Sequence, residues 1–336
     1  MVTVRNYGAL EDGRMVHCYT IPNSFGEYVE VLDYGAAMHS VYIKDKHGCL
    51  RNVVLHANDI HHLQHRAREG FTIGRCANRI AYGKFLLDGK TVQLETGRDG
   101  HYIHGASGNY ARQMFSGRVL ENGVELYLRD PGMAGFDCPV DVWVTFTFDD
   151  SHTLTMSYRM VPHGTTLLCP ANHAFFDFND DHDVRDYVLQ IPISNYAPRT
   201  KIGMPEGEIA AVAGTVFDYT KPITIREGLT AEPDRFGDSR PGYDDFYVRD
   251  GEEFGLMAEI SDEVSGITMR VSADAQCLVF VTPPPRNEGD GPYPCFCMET
   301  QYVPNAVNCP EYIAPVYHEG ESLNKKTTYQ FIVKKV

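Results

Sequence analysis

The chain lacks a long apolar run. Its 336 residues contain no stretch of about 18 consecutive apolar residues, the length that a membrane-spanning helix needs. The first seven residues, Met1 to Tyr7, also lack the basic region followed by an apolar run that forms a secretory signal. We therefore expect no membrane span, no membrane partner and a cytoplasmic location.

Basic residues are in deficit. Lys and Arg number 30 against 45 Asp and Glu, which gives a formal net charge of −15. Binding to the phosphates of nucleic acid or to an anionic membrane needs a basic surface. The charge therefore argues against a nucleic-acid partner. It also disfavours a sugar-phosphate substrate, unless a local basic pocket overrides the total.

Several motifs that bind metals or phosphates, or that supply a nucleophile, are missing. The segment 203–207 lacks the Lys and Ser/Thr of a phosphate-binding P-loop, and no G-x-S-x-G nucleophile elbow occurs. Four closely spaced histidines fit neither the H-E-x-x-H zinc helix nor a Cys/His ribbon; they are His56, His61, His62 and His65. We interpret this group as a solvated run on a loop.

Cysteine is present, but not in the pattern of a disulfide framework. The nine cysteines are an odd number scattered through a long chain, whereas disulfide frameworks belong to short secreted chains. We expect reduced thiols, as in a cytoplasm. Cys295-Phe296-Cys297 is C-x-C rather than C-x-x-C, and we interpret its cysteines as small hydrophobic residues on one face of a strand.

Strand signals dominate the chain. Apolar residues occupy every second position in the segments 124–128, 140–148, 154–160 and 329–333, which is the period of a strand with one buried face. Asp88-Gly89 is predicted to close a hairpin. Helical signals are sparse, and the strongest predicts a short helix or turn over residues 59–64. We predict an all-β sandwich with long loops, in a single domain of residues 1–336.

One histidine lies in an unusual setting. The segment Asn172–Asn179 places His173 in an apolar, aromatic run. Such a histidine is either a core residue with a satisfied ring or a proton donor held in a shaped pocket. On this segment alone the core interpretation is favoured. The balance changes when the segments around Arg79, His104 and Glu299 are considered with it.

Three further residues have both a functional and a structural interpretation. His104 opens a small-residue loop in which glycines let the backbone approach a ligand, but a turn histidine also fits. Arg79, which follows Asn78, fits a ligand contact or a structural ion pair equally well. Asp244 follows Tyr243, so it fits a sugar site with ring stacking and a hydroxyl acceptor, or a plain turn.

Glu299 is the sharpest candidate. It lies on a predicted strand whose neighbours include Phe296 and Met298. A carboxylate at such a position is expensive unless it is paired or catalytic. A carboxylate and an imidazole in one pocket form a natural pair of base and acid, because their pKa values can be moved to either side of neutrality.

Taken in order, these segments resemble the aldose 1-epimerase family, the galactose mutarotases. The resemblance runs nearly end to end, and it is carried by Tyr34-Gly35-Ala36, Gly74-Arg75-Cys76-Ala77-Asn78-Arg79-Ile80, Asp88-Gly89-Lys90, His104-Gly105, Asn172-His173-Ala174-Phe175-Phe176, Gly214-Thr215-Val216-Phe217-Asp218, Gly242-Tyr243-Asp244, Glu299-Thr300-Gln301 and Pro304-Asn305-Ala306-Val307-Asn308.

The resemblance implies a large antiparallel β-sandwich of the galactose mutarotase type that interconverts the α and β anomers of a free monosaccharide. It implies no cofactor and no metal. By position, Glu299 would be the base at the anomeric hydroxyl and His173 the acid at the ring oxygen, with His104 assisting. Two further residues would hold the sugar hydroxyls with Asn78 in support; they are Arg79 and Asp244.

The chain departs from the family pattern at three positions. Ala106 follows His104-Gly105 where many members have a second glycine, and Asp245 follows Asp244 where members often have histidine. Val279 stands where members usually carry a sugar-binding glutamine. The resemblance therefore does not identify the preferred aldose.

Two alternatives remain open on the sequence. One is a carbohydrate-binding relative without turnover, an alternative that the altered binding positions favour. The other is a hexose-phosphate 1-epimerase on the same fold, which would need a cationic cluster at the cleft. The candidate cations for that cluster are Arg75, Arg79, Arg112 and Arg286.

Overall fold

The computed structural model describes residues 1–65, 69–179, 181–231, 242–285 and 291–334. Strands predominate among them. The strands are β1 (Thr3–Ala9), β2 (Met15–Pro22), β3 (Tyr28–Leu32), β4 (Ala37–Lys44), β5 (Leu50–Asn52), β6 (Thr72–Ile73), β7 (Arg79–Ile80), β8 (Lys84–Leu87), β9 (Lys90–Gln93), β10 (Tyr102–Ile103), β11 (Ser116–Leu120), β12 (Gly123–Asp130), β13 (Val140–Phe148), β14 (Thr153–Pro162), β15 (Thr166–Leu167), β16 (Ala171–Asn172), β17 (Phe175–Phe176), β18 (Val188–Gln190), β19 (Asn195–Ala197), β20 (Ala210–Ala211), β21 (Ile223–Thr224), β22 (Asp244–Val248), β23 (Gly255–Ser261), β24 (Ile267–Ala273), β25 (Cys277–Val281), β26 (Phe296–Gln301), β27 (Val316–Tyr317) and β28 (Leu323–Val333).

Helices are short. The described residues form two α-helices, α1 (Ile60–His65) and α2 (Ile225–Ala231). The first confirms the helix predicted over residues 59–64. The second was not predicted, although its start carries a capping box: the Glu227 carboxylate accepts from the backbone N–H and hydroxyl of Thr224, whose hydroxyl accepts in turn from the backbone N–H of Glu227.

Three larger antiparallel sheets form the body of the molecule. The first has the order β1-β2-β3-β4-β5. The second has nine strands in the order β11-β12-β13-β14-β28-β24-β23-β18-β21, and the third has six in the order β17-β26-β25-β22-β19-β20. The prediction of an all-β antiparallel architecture is confirmed.

Local sequence explains the sheets well. In β13 every second residue is buried, from Val140 to Phe148, as the alternation predicted. The predicted hairpin at Asp88-Gly89 joins β8 to β9. Both of its turn residues have positive φ, 49° and 74°, as a two-residue type I′ turn requires.

One large apolar cluster joins the three sheets. It contains Val31 from the first sheet, Val142 from the second and Met298 from the third. The third sheet is also buried on its other face, where Val279 and Phe246 belong to a separate apolar cluster. Strand β26 is therefore buried along its whole length on both faces.

A buried ion pair fastens the segment between β6 and β7. Asp130 accepts from Arg75 Nε at 2.8 Å and from the hydroxyl of Tyr110 at 2.7 Å. Arg75 also donates from Nη1 to the hydroxyl of Thr166 at 3.0 Å. Both charged side chains are 1 % exposed. Because Arg79 lies four residues after Arg75, this pair holds the start of the segment that carries it.

No described helix is long and apolar enough to cross a membrane. The cysteines are present as thiols, and eight of the nine are buried.

Replacing Asp130 with Ala is expected to lower the free energy of unfolding by about 3–5 kcal/mol, because the buried Arg75 guanidinium loses its charged partner. Equilibrium unfolding in urea measures the change. The control is Asp186→Ala, which breaks an exposed pair with Arg226 and should cost at most about 1 kcal/mol. Equal small losses in the two variants would contradict this account of Arg75.

Candidate active site

The candidate residues converge on the face of the six-stranded sheet that carries Val279 and Phe246. Glu299 lies on β26, and Asp244 begins β22. His173 follows β16, His104 follows β10, and Arg79 begins β7. Residues that are far apart in the sequence thus meet at one place.

Sheet register brings the two carboxylates together. Glu299 pairs with Val279 across β26 and β25, while Asp244 pairs with Val281 across β22 and β25. Val279 and Val281 are two residues apart, so their side chains lie on one face of β25. Glu299 and Asp244 therefore flank the same strand on the same face. This proximity is part of the electrostatics of the site, because the charge of Asp244 raises the pKa of Glu299.

Glu299 is a buried carboxylate, 2 % exposed. Its Oε1 lies 3.7 Å from Nε2 of His173, and its Oε2 has no hydrogen-bond partner among the described residues. Burial raises the pKa of Glu299 above its ordinary value. Asp244 adds to the rise, while His173 and Arg79 oppose it. The carboxylate is thus moved towards a stronger base.

His173 is held by its backbone, and its ring faces three residues in addition to Glu299. Its N–H donates to the Phe71 carbonyl at 3.0 Å. The ring centroid lies 4.9 Å from that of Phe175 and 5.5 Å from that of His104. Nδ1 lies 3.6 Å from Cys297 Sγ. With 18 % of its side chain exposed, His173 is more open than Glu299, so the two form a site with an accessible side.

His104 is fixed in one tautomer. The backbone N–H of Asn78 donates to His104 Nδ1 at 3.1 Å, and the backbone N–H of His104 donates to the Asn78 carbonyl at 3.0 Å. Burial lowers the pKa of His104 well below its usual value, and the charges of His173 and Arg79 lower it further. The neutral ring accepts at Nδ1, so its proton is on Nε2, which is a hydrogen-bond donor.

The loop after β10 requires glycine at position 105. Gly105 has φ of 84°, and a Cβ there would overlap the carbonyl oxygen of Gly74. The close approach of these two backbones brings the His104 loop against the segment that precedes Arg79. The small-residue pattern thus has a structural cause that also serves the site.

Arg79 and Asn78 form a second polar element beside Glu299. Nη1 of Arg79 donates to Oδ1 of Asn78 at 3.2 Å. Asn305 fixes the same strand, because its backbone N–H donates to the Arg79 carbonyl at 2.9 Å. Gly203 packs so closely that a Cβ there would lie 3.0 Å from Arg79 Nη1. Arg79 is 6 % exposed, so its charge acts inside the protein.

One ion pair at the site was not found from the sequence. Arg199 Nε donates to Asp245 Oδ1 at 3.0 Å, and Asp245 is the neighbour of Asp244. Residues 46 positions apart make this contact, so no local pattern could reveal it. Cys297 was interpreted from the sequence only as a small hydrophobic residue, although it lies two residues before Glu299 and alternation puts both on one face.

Of the arginines named for a phosphate site, the three that the structure describes form no cluster around Glu299. Arg75 is buried against Asp130, and Arg112 is exposed on a 3-10 turn at Tyr110–Arg112. Arg286 lies outside the described residues. Of the described candidates, only Arg79 lowers the pKa of Glu299 through its charge. A cationic cluster for a sugar phosphate is thus not formed by Arg75, Arg79 and Arg112.

The interpretation of the histidines of the segment 56–65 as a run on a loop is wrong for His61, His62 and His65, which lie on α1, and none of the four belongs to the group around Glu299. His65 pairs with Glu11 at 2.7 Å on the surface, and the His39 ring packs on that of His56 at 4.9 Å. Among the described residues, the group of metal-ligating side chains close enough to share an ion is His173, Cys297 and Glu299. Their ligand atoms lie within 4.8 Å of one another.

Comparison with known proteins gives a consistent result. The aldose 1-epimerase family model matches residues 17–330. The galactose mutarotase of Sus scrofa is 31% identical over 321 residues, which cover 91% of each chain. The aldose 1-epimerase of Escherichia coli is 27% identical over 341 residues, or 96% of this chain and 97% of the relative. The crystal structure of a galactose 1-epimerase from Lactobacillus acidophilus superposes with a TM-score of 0.85 at 22% identity, covering 99% of both chains.

The buried charge of Glu299 should cost stability at neutral pH. The pKa of Glu299 is raised in the folded state, so between its ordinary value of 4.5 and the raised value the folded chain binds more protons than the unfolded chain. Stability from this residue is present at low pH and is lost as pH rises. Glu299→Gln should therefore be more stable than wild type at pH 7, by about 1.4 kcal/mol for each unit of the shift.

Urea unfolding across pH measures this difference, which should shrink as pH falls from the raised pKa of Glu299 to its ordinary value of 4.5 and should change little below that. Glu319→Gln, at an exposed position, is the control and should show no such dependence. A gain for Glu299→Gln that did not vary with pH would contradict the assigned cause.

Proposed function

This chain belongs to the aldose 1-epimerase family and interconverts the α and β anomers of a free aldose, and from this premise we propose which of its residues carry the reaction. The observation on which the proposal rests is the buried Glu299 carboxylate facing the His173 imidazole at 3.7 Å. A base and an acid at this separation can act on the anomeric hydroxyl and on the ring oxygen of one sugar.

Glu299 takes the proton from the anomeric hydroxyl. The C1–O5 bond then breaks as the aldehyde forms, and O5 takes a proton from Nε2 of His173. Rotation about the C1–C2 bond presents the other face of the aldehyde. Closure reverses both transfers: O5 returns its proton to His173 while it attacks C1, and Glu299 returns its proton to O1. No proton is gained or lost over the cycle.

The environment of Glu299 suits this role. Burial and Asp244 raise its pKa, whereas His173 and Arg79 hold that rise in check. A base whose pKa approaches the working pH combines proton affinity with a useful charged fraction. General acid–base catalysis contributes roughly 10²–10⁴-fold per group, which is sufficient for a reaction that already proceeds in water.

His104 and the polar residues position the sugar. His104 presents a neutral Nε2–H donor beside the ring of His173 and thus assists at the ring oxygen or an adjacent hydroxyl. Asp244 accepts hydrogen bonds from hydroxyls, and Arg79 donates them. Asn78 supports Arg79 and His104. Its Oδ1 accepts from the Arg79 guanidinium, and its backbone N–H fixes the tautomer of His104.

The substrate is a small monosaccharide. Relatives named galactose mutarotase make galactose the first sugar to test, with glucose beside it. Val279 lies directly opposite Glu299, so an apolar side chain occupies the place of an amide next to the base. We also propose a cytoplasmic location, because eight buried thiols suit a reducing compartment.

Glu299→Gln and His173→Asn should each lower the acceleration of anomer exchange by about 10²–10⁴-fold, because each removes one proton-transfer group. Polarimetry on freshly dissolved α-D-galactose and α-D-glucose measures the rate. The matched controls are the exposed Glu319→Gln and His47→Asn, which should keep the wild-type rate. Full activity in both site variants, with the fold intact, would refute the assignment.

The pH profile provides a second check. Glu299 acts as base only when it is deprotonated, so kcat/KM should fall as pH drops through its raised pKa. Asp244→Asn removes one carboxylate whose charge contributes to that rise, and the acid limb should move to lower pH.

Asp244→Asn should also raise KM more than it lowers kcat, because Asp244 binds hydroxyls that keep their contacts through the reaction. Exposed Asp250→Asn is the control and should change neither constant. A kcat loss as large as that of Glu299→Gln, with unchanged KM, would instead place Asp244 in the proton transfer.

A further inference from the structure

A thiol lies within the catalytic pair, and the proposed reaction does not use it. Cys297 Sγ is 3.6 Å from Nδ1 of His173, whose Nε2 lies 3.7 Å from Oε1 of Glu299. Cys297 is fully buried on β26, and Glu299 follows it on the same face. Thiolate, imidazole and carboxylate are the three ligand types that Zn²⁺ binds in proteins.

The separations suit coordination. Tetrahedral Zn²⁺ with Zn–S of about 2.3 Å and Zn–N and Zn–O of about 2.0–2.1 Å sets its ligand atoms about 3.4–3.6 Å apart. The sulfur–nitrogen contact is 3.6 Å and the nitrogen–oxygen contact is 3.7 Å. These two contacts involve different ring nitrogens. An ion bound to one of the two nitrogens therefore has one near ligand, either Cys297 Sγ or a Glu299 oxygen. The ligand atom of the remaining residue, now within 4.8 Å, must move about an ångström closer.

The carboxylate of Glu299 has one oxygen without a hydrogen-bond partner among the described residues. This oxygen, Oε2, is buried, and a buried acceptor in that state costs free energy. A second carboxylate, Asp244, is close enough to raise the pKa of Glu299. A cation placed beside Glu299 and His173 would relieve both the missing contact and the repulsion.

We propose that His173, Cys297 and Glu299 form a binding site for a thiophilic divalent cation of the Zn²⁺ class, and that the bound ion inhibits the enzyme. Ligation occupies the carboxylate and the imidazole that the sugar needs. Inhibition is therefore competitive with the sugar. The inference of inhibition rests on the proposed function, whereas the inference of metal binding does not.

The same chemistry defines what the site rejects. Mg²⁺ prefers six oxygen ligands in near-ideal octahedral geometry, and it does not select thiolate or imidazole. Entry is through the partly exposed His173, since Cys297 and Glu299 are buried behind it.

The experiment uses the full chain with Cys49→Ser, which removes the exposed thiol. Co²⁺ serves as the spectroscopic probe, because a cobalt–thiolate bond gives a charge-transfer band in the near ultraviolet. Zn²⁺ serves as the inhibitor, with Mg²⁺ for comparison. The test variant is Cys297→Ala with Cys297→Ser beside it, and the matched control is Cys295→Ala, which removes a buried thiol two residues away.

We expect the cobalt band in the parent and in Cys295→Ala, and its loss in both Cys297 variants. Zn²⁺ should raise the apparent KM for the sugar, and a chelator should reverse the effect. Relative to each variant's own uninhibited rate, the zinc inhibition constant should rise at least about 10–100-fold without Cys297, the range seen when even outer partners of a metal ligand are lost.

Each result decides the matter. A cobalt band that survives in both Cys297 variants, or no band in the parent, would overturn the site. Equal inhibition by Zn²⁺ with and without Cys297, or equal inhibition by Mg²⁺, would overturn the assigned ligands. A cobalt band that depends on Cys297 in a chain without anomer exchange would uphold the metal site and refute the proposed function.

Discussion

Strand β26 is buried on both faces, and the rest of the site depends on this constraint. Its alternate residues Phe296 and Met298 enter the large apolar cluster, while Cys297 and Glu299 face the opposite way. The same packing that stabilises the sheet therefore removes water from the carboxylate. Burial is the largest cause of the raised pKa of Glu299, so the packing of the core also sets the basicity of this carboxylate.

A carboxylate on a strand can act only if its partners are brought to it, and loops do this here. His173 is fixed by a backbone hydrogen bond to Phe71, and His104 by exchanged contacts with Asn78. The buried pair of Arg75 and Asp130 anchors the segment that ends in Arg79. Anchoring of this kind holds the candidate residues in fixed orientations, which is what the proposed reaction requires of them.

The sequence named the candidate residues of this site only when its motifs were considered together. Glu299 was identified because a carboxylate on an apolar strand has few structural reasons to be there. On its own segment His173 fitted a core residue better than a proton donor, and it became a candidate acid only when the other segments were considered with it. The helix α2 was not predicted, although the capping-box pattern of Thr224 and Glu227 indicates a helix start.

Period-two alternation, the Asp88-Gly89 turn and the ordered motifs determined the all-β architecture and the candidate residues from the sequence alone, because each is a local pattern with a direct geometric meaning. Only the tertiary structure decided the contacts between distant segments: His173 Nε2 beside Glu299, Cys297 beside His173 Nδ1, and Arg199 on Asp245. The physical reason is that strand register and loop packing set these distances, and both arise from the whole core rather than from the residues near each side chain.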